Sequence, residues 1–558
     1  MFIRKNCSLL RRLLIVATVS VTFIQLHGQS SPSAPPPPPH AFFRVQAPAT
    51  NTAPISGRLL VFLKAGSGDS EVSNSEMHLT DAWVCAREVQ NLAPGDSVEV
   101  DADEIAYPKP FSTLPSGIYE AQAVLDVNHN YNYKARGPDD WVSPVVTLAG
   151  WKPGVGTEPV LSLDRRVVED PQRAAAFAKL KQATTADVAQ YDEMESPLLT
   201  RFWGRPARIR AWVILPPTYA THANETYPTV YWTHGFGGDI DGALVSGLRI
   251  YERMKAGTMP PMIWVMLNEA IQQGTHEFAD SVNDGPWGTA LTTEFIPHLE
   301  QKFRMDAKPT GRLLNGHSSG GWATLQLQIN YPKVFGGTWS TSPDPSDFHD
   351  FTNVDLYAAN ANMYRNPDGS PVPIMRDNGQ VVATMEQVAR LEQVLGPYGG
   401  QLESFDWVFS PKGPSGAPQP MFDRATGQVR PEVVSYWHDH YDLAHIVEST
   451  WAQRGDDLKG RIHLIVGTAD TFYLDGSAHK FEAVLTRVDA QSHFTYLPDR
   501  THFNLYEVGK DKQVDKYGLF DQIGAEMWDV ARPGAKWKEE PPKKKTKRPA
   551  KPKDSGTS

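Results

Sequence analysis

Residues Leu313–Trp322, LLNGHSSGGW, set two serines among glycines immediately after a short apolar run. Gly316-His317-Ser318-Ser319-Gly320 fits the pattern G-x-S-x-G, preceded by a strand-like "RLLNG" and followed by a helix-like "GWATLQLQINYP". A strand-to-helix turn of this kind is so tight that small residues are needed two positions either side of the serine it exposes. Ser318 has glycine at both positions, whereas Ser319 has His317 at the first, whose bulk the turn does not easily admit. Ser318 is therefore the candidate nucleophile. A Gly/Ser-rich turn opening a helix is also common, so the stretch acquires meaning only if the chain supplies partners.

Around it the chain alternates. From Phe202 onward, the strand-like runs "ARIRAWVILP", "TVYWTHG", "MIWVML", "RLLNG", "VFGGTWSTS", "RIHLIVG" and "HFTYLP" are separated by helical patterns. One of these, "WGTALTTEFIPHLEQKF", repeats Leu291, Phe295 and Leu299 along one face. This rhythm predicts an α/β fold, a mainly parallel sheet with helices on both faces. Such sheets build their sites at the C-terminal edge of the strands.

A serine needs a base, and the base an orienting acid, in the chain order Ser, acid, His. Asp470 follows the strand "RIHLIVG", with Asp475 as the fallback and a helix N-cap as the structural reading of Asp470. Of the later histidines, His479 falls in a helix-like run and His493 begins a strand. His502, in the loop "LPDRTHFNLYE", is the natural base. The strand "TVYWTHGFGG" ends in glycines whose amides can face an oxyanion; those of Phe236 and Ser319 are the candidate donors.

With these four parts in place, "VILPPTY…YPTVYWTHGFGG", "NDGPWGTALTTEFIPHLEQKF", "GHSSGGW" and "VGTADTFYLD…RTHFN" resemble the putative-esterase group of α/β-hydrolases. That group includes esterase D, feruloyl and acetylxylan esterases, enterochelin esterases and mycolyltransferases. The resemblance covers roughly residues 200–343 and 440–510. It implies Ser318 as nucleophile, Asp470 as acid, His502 as base and Phe236 in the oxyanion hole, with no metal or organic cofactor. Hydrolysis of a carboxylic ester is the expected reaction, on a small-molecule or polysaccharide-linked substrate. The alternatives are acyl transfer on the same fold and a non-catalytic carbohydrate-binding protein on a hydrolase scaffold.

The flanks divide the 558 residues further. "MFIRKNCSLLRR" followed by the apolar "LLIVATVSVTFI" predicts a secretory signal over 1–28, with an uncleaved anchor as the alternative. Secreted or periplasmic export follows from it, with no stable membrane span after cleavage. A Pro-rich linker (29–40) leads to short strand-like runs over 41–149, expected to form a small β-sandwich-like domain. Residues 150–200 read as a connector and 201–530 as the α/β-hydrolase domain, interrupted by a cap-like insertion over 344–459. A Lys- and Pro-rich tail (531–558) is expected to be disordered. The formal charge of −10 gives no reason to expect nucleic-acid binding, which calls for a basic face. Outside the signal the only cysteine is Cys85, in the strand-like "DAWVCAREV", expected as a buried small hydrophobe.

Three further clusters are weighed. Asp126, Asn128 and Asn130 are read as a hairpin turn in preference to a calcium site, because no acidic closing ligand follows. His438, His440 and His445 in "HDHYDLAH" suggest a metal, but the first two are expected on different sides of a helix. His276, Trp287, Trp407 and Trp437 are expected to contact substrate. Aromatics in a long insertion also commonly form a core of its own.

Overall fold

The computed structural model describes residues 39–75, 77–130, 132–134, 136–396, 400–507 and 518–537. The expected signal and most of the linker and basic tail lie outside these.

The N-terminal part is a sandwich of two sheets. In the smaller, Phe42–Gln46 lies between Ser97–Asp101, antiparallel, and Val160–Ser162, parallel. The larger is centred on Ile55–Ala65, paired antiparallel with Trp83–Leu92 and Gly117–Asp126. Successive side chains of a strand face opposite ways, and here both faces are covered. Leu59, Val61, Leu63 and Cys85 meet Phe43 and Val45 inside the sandwich. Leu60, Phe62, Val84 and Val124 face outward into the core of the C-terminal part. The unbroken apolar run "LLVFL" has this double burial as its cause. Burial also pushes the Cys85 thiol far above its ordinary range.

The expected boundaries shift. Val160–Ser162 and Arg165–Arg166 complete the sandwich sheets, so the β-domain runs past residue 149. The expected connector, 150–200, also holds the first strand of the central sheet.

That sheet has eight strands: β1 Ala189–Glu195, β2 Arg208–Ile214, β3 Thr229–Thr233, β4 Ile263–Leu267, β5 Arg312–His317, β6 Gly337–Thr341, β7 Ile462–Gly467 and β8 His493–Leu497. Their spatial order is β1-β2-β4-β3-β5-β6-β7-β8. β1–β2 and β2–β4 pair antiparallel and the others parallel. This is an α/β-hydrolase sheet. Neighbouring residues of β5 show how it is clothed. Leu313 packs in a cluster with α1 (Ile240–Lys255), and Leu314 in the opposite one with Leu291, Phe295 and Leu299 of the helical stretch 287–302. α2 (Ser319–Asn330) follows β5 directly and is buried along almost its whole length.

The insertion is ordered into a hairpin, Pro373–Asp377 with Gln380–Thr384, and four helices: α3 Met385–Leu395, α4 Gln401–Phe409, α5 Pro431–Tyr441 and α6 Leu443–Leu458. α3 starts with a capping box in which Thr384 and Gln387 exchange side-chain and backbone bonds. Arg58 of the β-domain reaches across and donates to the backbone oxygens of Gln393 and Val394 in the last turn of α3. No helix among the described residues is long and apolar enough to cross a membrane.

Candidate functional site

Ser318 sits between β5 and α2 with φ 61° and ψ −129°, a conformation that side chains rarely adopt. Its N–H donates to the Thr341 oxygen at 3.1 Å, tying the turn to the end of β6. The flanking glycines are required by close approach. A Cβ at Gly316 would stand 2.1 Å from the Gly320 oxygen, and one at Gly320 would stand 2.3 Å from the His234 oxygen.

Asp470 lies three residues past β7, with its carboxylate fully buried. One oxygen stands 2.9 Å from Nδ1 of His502, and the other accepts the Phe472 amide at 3.0 Å. One oxygen thus faces His502 and the other a turn amide; Asp470 is not the cap of the helix that follows, Leu474–Arg487, whose N-cap is Tyr473 with no side-chain cap bond. Burial opposes the Asp470 charge, but the His502 ring, the Phe472 amide and the Ser342 hydroxyl outweigh it and hold the carboxyl below its usual range. His502, also buried, follows β8, and its ring lies 4.4 Å from that of His317 and edge-on to Phe472 at 4.9 Å. Burial, then the neighbouring His502, push His317 down to about 3, so that ring is neutral in any ordinary solution. The fallback Asp475 is engaged elsewhere, in an ion pair with Arg376 at 2.8 Å. His479 stacks on Tyr496, and His493 stacks on His463.

The glycine loop after β3 presses on the elbow. A Cβ on Gly235 would come within 2.8 Å of Ser318 Cβ. Phe236, Gly237 and Ser318 together line one cavity of about 300 Å³. Sequence reasoning missed its other polar wall, Asp344. This carboxyl accepts the Ser319 hydroxyl at 2.6 Å, and burial, partly offset by that bond, raises it to about 6. Its place just past β6, at the C-terminal edge of the sheet, was the available signal.

The expected substrate contacts do not gather there. His276 and Trp287 stack flat on each other at 3.7 Å and line a different cavity, with Trp203, Arg205 and Arg208. Trp437 is fully buried among Phe348, Phe351 and Phe409, its indole N–H bonded to the Ser410 hydroxyl. It belongs to the core of the insertion. Trp407 is half-buried on α4 and is not among the residues lining the Ser318 cavity. The physical reason is helical geometry: the insertion turns its largest rings inward and leaves aliphatic and phenyl side chains over the serine. His438 and His445 come together with Asp439, whereas His440 turns away to stack on Tyr436. Asp126 accepts the amides of Asn128 and Asn130, the turn read from the sequence.

The family described as "Putative esterase" matches residues 206–514. Esterase Rv1288 and Esterase MT1326, from two strains of Mycobacterium tuberculosis, are each 33% identical over 141 residues. The match takes in 25% of this chain and 30% of the length of those curated relatives. Among solved structures, a ferulic acid esterase is 15% identical with a TM-score of 0.35, covering 56% of this chain and 90% of its own. An S-formylglutathione hydrolase from Agrobacterium tumefaciens is 15% identical with a TM-score of 0.33, over 57% of this chain and 90% of its own.

Proposed function

This chain belongs to the putative-esterase family, and on that premise we propose that it is an exported serine hydrolase of carboxylic esters. Ser318 attacks the ester carbonyl while His502 takes its proton through Nε2. Asp470, bonded at Nδ1, fixes the tautomer and stabilises the imidazolium. The amides of Phe236 and Ser319 hold the developing oxyanion, each such donor contributing roughly 3 kcal/mol to transition-state stabilisation. The alcohol leaves with the proton from His502, and water then releases the acid from the acyl-enzyme.

The observation that carries this reading is the buried His502–Asp470 pair at the same sheet edge as the strained Ser318 turn. Export rests on the N-terminal sequence pattern alone, "MFIRKNCSLLRR" before its apolar run.

A fluorophosphonate probe tests the proposal. Wild-type protein should be labelled on Ser318 and lose the label in Ser318→Ala. Folded protein that resists labelling, or a label that persists in Ser318→Ala, overturns it.

A further inference from the structure

We infer that the cavity over Ser318 is an acyl pocket for a bulky apolar acid, and that the N-terminal β-domain sets part of its selectivity through Tyr133. The inference rests on Ser318 being the nucleophile and names the substrate class of that site.

Three parts of the chain build the cavity. The insertion contributes Phe351, Met375, Val388 and Phe405; the segment after β7 contributes Phe472; the β-domain contributes Asn132 and Tyr133. Tyr133 lies in the loop following the sandwich strand Gly117–Asp126 and is half-buried against the insertion core.

The departing alcohol must lie against His502, which protonates it. Ser318, Phe236 and Gly237 line the cavity, and Phe472, edge-on to His502 at 4.9 Å, lines it beside that histidine. The cavity therefore reaches the carbonyl carbon at Ser318, and we assign its apolar bulk, built by the insertion and the β-domain, to the acid portion.

Its size and polarity narrow the acid. An apolar cavity of about 150 Å³ holds a benzene ring, and this one has about 300 Å³. An acetyl group would leave most of it empty. A straight-chain or aryl-bearing acyl group of about eight to twelve carbons fills it, by the same comparison. The polar side chains of the lining are those of Asn132, Tyr133, Asp344, Thr352, Gln401 and Ser318, and the rest of its side chains are apolar.

The β-domain is held in register with this wall. Arg58 binds the end of α3, and α3 carries Val388 into the cavity. Tyr133 thus closes the pocket from a domain that contributes nothing to the Ser318, His502 and Asp470 constellation.

The test uses full-length protein with p-nitrophenyl acetate, octanoate and 3-phenylpropanoate, alongside labelling by an ethyl fluorophosphonate. Each buried methylene is worth about fourfold. kcat/KM should therefore rise by at least about 100-fold from acetate to the better of the two larger esters, and which of them leads separates a chain-shaped from a ring-shaped pocket. Tyr133→Ala should lower that ratio about tenfold, and Tyr133→Phe should retain most of it. Tyr133→Trp, which intrudes on the space, should also lower it, and serves if the alanine variant does not fold. A wild-type ratio near one, or a ratio unmoved by both alanine and tryptophan, overturns the inference while labelling still upholds the nucleophile. Absent labelling overturns the nucleophile first, and the pocket assignment with it.

Discussion

Nδ1 of His502 stands 2.9 Å from one carboxylate oxygen of Asp470, while the other oxygen accepts the Phe472 amide. The two bonds fix the carboxylate in one orientation and so fix the imidazole. Asp475, five residues on, is bound to Arg376 and faces a different partner.

Asp470→Asn should lower kcat by about 10⁴-fold, the size of loss seen when the orienting acid is replaced by an amide. Asp475→Asn should cost only a few-fold. Steady-state hydrolysis of any accepted ester checks both, and the reverse ranking would move the acid to the start of α7 (Leu474–Arg487).

Gly235→Ala places a methyl group 2.8 Å from Ser318 Cβ and 2.9 Å from the His317 oxygen. Both neighbours sit on the elbow, which cannot yield without moving the serine. The glycine loop after β3 must give way, and, on the proposed oxyanion role of the Phe236 amide, kcat should fall by about 10²-fold or more, the cost of one lost donor. Circular dichroism should show the fold retained. A variant with wild-type kcat would place the oxyanion donors elsewhere.

How much of this was legible beforehand differs by feature. The α/β rhythm and the Ser318 turn were readable because both impose strict local rules: alternating periodicity, and glycine where a Cβ would collide with backbone. The pairing of Asp470 with His502 is readable because chain order and strand ends constrain both residues. The pocket wall was not. Tyr133, Val388 and Phe405 are brought together by the packing of separate segments, which no local pattern encodes. The large rings of the insertion misled for the same reason. Trp437 looks like a ligand contact in one dimension and proves to be the centre of an aromatic core.

Asp344 gives a pH signature. Burial raises its carboxyl to about 6 from an ordinary 3.8, so the folded protein holds this proton more tightly than the unfolded chain. The stabilisation is complete below about pH 4 and is lost as pH rises through 6. The difference corresponds to about 3 kcal/mol. Asp344→Asn has no such proton. Relative to wild type it should gain about that amount between pH 4 and 7 in urea unfolding. Parallel stability curves for the two proteins would show that Asp344 titrates normally.

Arg58 joins the β-domain to the insertion through three hydrogen bonds to the oxygens of Gln393 and Val394. It is 8% exposed, and burial lowers its pKa, with Glu88 opposing that shift. A cation at this place also meets the negative end of the α3 dipole. Arg58→Met preserves the aliphatic stem but leaves the buried Val394 oxygen without its donors, whereas the Gln393 oxygen lies nearer solvent. An unsatisfied buried group costs about 1–3 kcal/mol, so the loss at Val394 is of that size, lowered if α3 frays to find new partners. The midpoint of thermal unfolding should fall, and amide exchange should accelerate first in α3, at the seam between the two parts. Unchanged exchange there would mean that the apolar contacts of Leu60, Phe62 and Val84 hold the seam without the arginine.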